Sequence, residues 1–115
     1  PVLEALFADK GLISRDMAEN MLRAKRLDGA QAALDAINAA NFGGGQQAEV
    51  LAGRLGELRV PLQVLWGEKD EVIPARQADG LPQDIHVTIL PGAGHMPQME
   101  KAAEVNRAIL VFVER

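Results

Sequence analysis

Leu62-Gln63-Val64-Leu65-Trp66-Gly67-Glu68-Lys69-Asp70-Glu71-Val72-Ile73-Pro74 holds the change of period that decides the fold. Leu62 to Trp66 is a short apolar run closed by Gly67, the pattern of a buried strand. A second such run, Ile85 to Leu90, closes on Pro91-Gly92. Between the runs, Pro74 suits the first position of a helix through Ala78, since the N–H it lacks has no partner there anyway. Strand, crossover helix and strand together predict a parallel pair.

Downstream, Ala102, Val105, Ile109 and Phe112 form an apolar stripe opposite Glu104, Asn106 and Arg107, which predicts a closing amphipathic helix from Met99 onward. Upstream the period is helical. Ser14 caps a predicted helix to Leu27, with Met17, Ala18, Met21 and Leu22 on one face and Asp16 in its first turn. Asp28, with Gln31 three residues on, is a second cap candidate for a helix along Ala30, Ala33, Leu34 and Ile37, ended by Asn41-Phe42-Gly43-Gly44-Gly45. The triple glycine reads as a connector, because it is costly to order and offers no side chain to pack. Leu51, Leu55 and Leu58 predict a short helix that stops before Pro61. The fold class is therefore α/β, with helices first and then β-α-β-α. Parallel strands occur almost only where helices bury both faces of a larger sheet, so more strands are expected from elsewhere.

The chain has 115 residues, enough for one small domain and too few for two cores of ordinary size. At 48% hydrophobic and 24% charged it matches average globular proteins, which argues against disorder. The formal net charge is −4 and the basic residues are scattered, which argues against nucleic-acid binding. Cysteine is absent, so disulfides, thiolate nucleophiles and Cys-based zinc sites are excluded. With only two histidines, far apart, no metal site is expected. No apolar run is long enough to cross a bilayer and no secretory signal opens the chain, so no membrane partner and a cytoplasmic location are expected. The first residue is Pro1 rather than methionine, which fits a piece of a longer polypeptide.

Chemistry concentrates after the strands. The turn beyond Trp66-Gly67 presents Asp70 at a strand's carboxyl end, where ligands and catalytic groups gather in open α/β sheets. Pro91-Gly92-Ala93-Gly94-His95-Met96-Pro97 does the same after the second strand, its glycines allowing His95 to point back across the sheet's end. A carboxylate on one imidazole nitrogen fixes the tautomer and stabilises the imidazolium formed when the other nitrogen takes a proton. Asp70 and His95 are the candidate catalytic pair. Glu68 and Glu71 flank Asp70 as lesser candidates for the acid, and His86, alternating with Ile85 and Val87, reads as an exposed or edge strand residue. Ser14 is the only serine and Thr88 the only threonine. Neither lies in a Gly-x-Ser-x-Gly elbow, and both have ordinary roles as cap and strand residue.

These motifs, Trp66-Gly67-x-x-Asp70 and Gly92-x-Gly94-His95, resemble the C-terminal signature of α/β-hydrolases. Leu6-Phe7-Ala8-Asp9, Lys25-Arg26-Leu27-Asp28-Gly29 and Gly94-His95-Met96 with Gln98-Met99-Glu100-Lys101-Ala102-Ala103 extend the likeness to the hydrolase-like C-terminal region of acetoin dehydrogenase E2 components. The resemblance implies a helical cap or lid over residues 1–45 and the last two strands and final helices of the core over 46–115. It implies a Ser-His-Asp triad running nucleophile, acid, histidine, with Asp70 and His95 present and the serine upstream of Pro1. The 115 residues alone are then expected to be inactive. For the parent it implies acetyl transfer through a lipoyl-lysine arm to coenzyme A, and partner subunits of a dehydrogenase complex. Within this chain no cofactor is expected, since the lipoyl domain is absent from it. Conventional E2 acyltransferases use His-x-x-x-Asp-Gly, and Ala24 and Ala75 stand where Asp28-Gly29 and Asp79-Gly80 would need the histidine, so any acyl transfer would need the serine triad. Rival expectations are a carboxylesterase-type hydrolase acting on a small acyl substrate, and a non-catalytic assembly element. The unpaired strand edges also predict self-association.

Overall fold

The computed structural model describes residues 2–114. Along the chain come α1 (Val2–Leu6), a 3-10 turn (Lys10–Leu12), α2 (Arg15–Lys25), α3 (Ala30–Phe42) and 3-10 turns at Gly43–Gly45 and Ala52–Glu57. There follow β1 (Gln63–Gly67), a 3-10 turn (Ala75–Ala78), β2 (His86–Leu90), α4 (Pro97–Glu100) and α5 (Ala102–Val113). The chain forms two compact units, one of residues up to Ile13 with those from Glu57 onward, the other of Ser14–Gly56.

In the first unit β1 and β2 pair in parallel, with Gln63 opposite His86 and Gly67 opposite Leu90. The register brings both strands to an end together, so the turns that follow start side by side. The expected strand pair is present. The core sits directly behind those turns: Leu90, Ala93 and Val105 are buried, with Leu65 packed against them. Burying an aliphatic side chain of this size stabilises by about 1.5–3 kcal/mol, so this small cluster anchors both turns to α5. Of the stripe expected on the last helix, Val105 is buried and Phe112 half-buried, while Ala102 and Ile109 are exposed. Two strands give a helix of this length too little surface to cover its apolar face.

Several helical expectations change in detail. The closing helix is broken at Lys101, whose backbone is non-helical (φ −136°, ψ 46°), into α4 and α5. Pro74 caps a 3-10 turn instead of opening an α-helix, and Leu51, Leu55 and Leu58 border or lie in a 3-10 turn. The second segment contains Gly53 and Gly56, whose backbone entropy disfavours an α-helix so short.

In the second unit Ser14 caps α2 as expected, its Oγ accepting from the Met17 N–H at 3.1 Å. Arg15 Nε bonds Glu19 Oε1 one turn on at 2.7 Å. Asp28 does not cap α3. Gly29 takes the cap position at φ 78°, which glycine alone adopts cheaply, and no side chain satisfies that helix start. Gln31 bonds Asp35 instead. Gly44 and Gly45 both have φ of 77°, so the triple glycine makes a tight turn after Phe42. Among the described residues no helix is long and apolar enough to cross a membrane.

Candidate active site

The site is built where β1 and β2 end. Beyond Gly67 the chain is stitched to the turn after β2, with the Glu68 N–H donating to the Leu90 carbonyl at 3.1 Å and the Lys69 N–H to the Ala93 carbonyl at 2.8 Å. Gly67 is required by closeness: a Cβ there would overlap the carbonyl oxygens of Ala93 and Gly94. Gly92 turns the second segment at φ 72°. The glycines of both motifs thus let two backbones touch, and the side chains just beyond them meet.

Asp70 Oδ2 lies 2.9 Å from His95 Nδ1, across twenty-five residues of sequence. The Asp70 side chain is only 5% exposed, so its remaining lone pairs need protein donors. Oδ1 accepts from the Val72 and Ile73 N–H groups, each at 2.9 Å. Oδ2 also accepts from the indole Nε1 of Trp66 at 3.2 Å, and that indole donates to the Ile73 carbonyl at 2.9 Å. Trp66 therefore walls the carboxylate and helps to orient it.

Burial is the largest single influence on Asp70 and opposes its ionisation. The Ile73 N–H, the bond with His95, the Val72 N–H and the attraction of a charged His95 together outweigh it, and the carboxyl is held below its ordinary range. An ionised carboxylate can only accept, so Nδ1 of His95 carries a proton in this contact, which leaves Nε2 as the nitrogen able to exchange one. His95 is 30% exposed. Beside it lies a cavity of about 270 Å³ lined by Val64, Leu65, Trp66, Ile73 and Pro97 as well as the pair itself. This arrangement can lift a proton from a neighbouring hydroxyl or water and return it to a leaving group.

The other candidates stand apart from this contact. Glu68 Oε2 accepts from the Gly92 N–H at 2.9 Å, which braces the two turns, and Glu71 is exposed. His86 is exposed at the opposite end of β2 from His95. Ser14 is engaged as the α2 cap, and Thr88 lies in mid-strand. One participant had no signature in the sequence. Glu100 Oε1 accepts from Gly94 N–H at 2.7 Å, while Oε2 accepts from Ala8 N–H at 2.8 Å and Asp9 N–H at 3.2 Å. Its place in the first turn of the helix that Pro97 opens was the one hint, and acidic residues are common at such positions. Among the described residues no group of three or more potential metal ligands lies together.

The sequence pattern of the alpha/beta hydrolase family matches residues 2–108. The chain is 47% identical over 106 residues to the dihydrolipoyllysine-residue acetyltransferase component of the acetoin cleaving system of Cupriavidus necator, covering 92% of this chain and 28% of that protein. It is 43% identical over 115 residues to the protein of the same name from Pseudomonas putida, covering 100% of this chain and 30% of that one. It is 33% identical over 75 residues to the epoxide hydrolase EphH of Mycobacterium tuberculosis, covering 59% and 35%. The chain thus spans less than a third of the length of the two acetyltransferase components it resembles.

Proposed function

The chain belongs to the alpha/beta hydrolase family, and from that membership we propose that His95 and Asp70 are the base and the acid of a Ser-His-Asp triad that transfers acetyl groups. The nucleophilic serine and the oxyanion-binding amides come, in this reading, from residues outside these 115. The observation that carries it is the 2.9 Å contact between a buried, multiply bonded carboxylate and a part-exposed imidazole at the strand ends.

The serine oxygen attacks the acyl carbonyl while Nε2 of His95 takes its proton, and Asp70 stabilises the imidazolium that forms. His95 then passes that proton to the leaving group as the tetrahedral intermediate collapses to an acyl-serine. In the second half-reaction Nε2 deprotonates the acceptor, which attacks the acyl-serine, and returns the proton to the serine oxygen. The names of the two acetyltransferase relatives support a dihydrolipoyl thiol as the exchange partner and subunits of an acetoin-cleaving complex as neighbours. A lipoyl-lysine arm and coenzyme A would then serve the longer parent as carrier and co-substrate. Likeness to an epoxide hydrolase favours a second reading in which water is the acceptor.

The test uses the full-length protein that carries this chain. His95→Gln is expected to lower both p-nitrophenyl acetate hydrolysis and acetyl transfer between acetyl-CoA and dihydrolipoamide by about 10⁴-fold or more. The wild-type ratio of the two rates identifies the acceptor. A His95→Gln protein that keeps both activities contradicts the triad and leaves an assembly role.

A further inference from the structure

We propose that Glu100 is a positioning residue that sets the orientation of His95 through the backbone of the turn leading into it; this rests on the role assigned to His95 above. Its carboxylate gathers three main-chain N–H groups, from Gly94 on one oxygen and from Ala8 and Asp9 on the other. Gly94 immediately precedes His95, and a bond to its N–H holds the Ala93–Gly94 peptide, whose carbonyl also accepts from Lys69 N–H at 2.8 Å, so the turn is pinned on both sides one residue before the imidazole departs.

The second half of the clamp reaches across 92 and 91 residues of sequence, to a segment that local structure alone would leave free. That segment lies directly on the histidine turn. A Cβ on Gly94 would come within 2.6 Å of Ala8 N and 3.0 Å of Glu100 Oε1, so no side chain larger than hydrogen fits between them. Phe7 beside it is buried at 4% exposure. Asp9 caps the 3-10 turn Lys10–Leu12, and the next helical cap is Ser14. Glu100 therefore joins the His95 turn to the stretch of chain that leads into the helical unit.

A carboxylate suits this place because two oxygens, each with two lone pairs, can accept from both sides at once, and charged acceptors make the stronger bonds. An amide can serve one side only, since its NH₂ would face a donor. Glu100 is the last residue of α4, and the Lys101 carbonyl restarts the helix by accepting from Val105 N–H at 2.9 Å.

The test measures steady-state hydrolysis of p-nitrophenyl acetate by the full-length protein as wild type, Glu100→Ala, Glu100→Gln and His95→Gln, with circular dichroism of each. Glu100→Ala is expected to lower kcat by about 10- to 100-fold with KM little changed, the signature of a displaced base rather than lost substrate binding. Glu100→Gln, keeping one acceptor oxygen, is expected to recover part of that loss. A folded Glu100→Ala with wild-type kcat, beside an inactive His95→Gln, overturns the proposal alone. Loss of kcat that only follows loss of folded protein in both Glu100 variants also overturns it, because Glu100 would then support the fold and not the base. A fully active His95→Gln overturns the triad reading and this proposal together.

Discussion

At the scale of residues, two backbone N–H groups, an indole and an imidazole together hold the Asp70 carboxylate. Its pKa lies below the ordinary aspartate value, so its ionisation favours the folded chain. The sign follows from linkage: the contribution is complete above the pKa of the unfolded aspartate and is lost as pH falls through the depressed folded value. Asp70→Asn is expected to destabilise by about 1–3 kcal/mol at neutral pH, because the amide turns a donor toward groups that themselves donate. The difference from wild type should shrink in acid. Urea midpoints of the two proteins, compared at neutral and acid pH, check this, and a gap independent of pH would contradict it. The identity of the pair was legible in the sequence, because each residue follows a strand-ending glycine motif. Trp66 read as the last residue of a strand and the start of the turn motif, while its indole bond to Asp70 needed the turn's geometry. Glu100 left only the hint of its place in the first turn after Pro97, since two of its three partners lie more than ninety residues away and no local pattern encodes such a contact.

At the scale of elements, the strands were the easiest to read. Two apolar runs bounded by glycine and proline leave few alternatives, and both formed within a residue of expectation. Helices with a good cap and long apolar spacing fared equally well, as Ser14 and α2 show. Short segments did not. Ala52–Glu57 and Ala75–Ala78 have apolar spacing compatible with an α-helix but too few residues to repay nucleation, and they settle into 3-10 turns. Asp28 failed as a cap because the backbone crosses into the left-handed region at the next residue, which places Gly29 at the helix start. The break at Lys101 was hidden for another reason: Ala102 to Phe112 keeps helical spacing with Met99 before it, while the Glu100 side chain turns back to the main chain of residues 8, 9 and 94.

At the scale of the whole molecule, β1 and β2 pair only with each other among the described residues, so each strand keeps one open edge. The open edge of β2 runs His86-Val87-Thr88-Ile89-Leu90, without the Lys, Glu or Pro that usually blunts such edges. The 115-residue chain is therefore expected to self-associate, with scattering mass rising with concentration; a monomeric mass throughout would contradict this. The chain covers 28–30% of the length of its acetyltransferase relatives. Everything functional still depends on one contact, between His95 Nδ1 and Asp70 Oδ2. It is tested most directly by ¹⁵N NMR of the imidazole in a His86→Gln background, where His95 is the only histidine left. The expected ring carries a proton on Nδ1, showing a low-field N–H resonance that disappears in Asp70→Asn. A ring with no proton on Nδ1, or ring shifts unmoved by Asp70→Asn, would contradict the pairing.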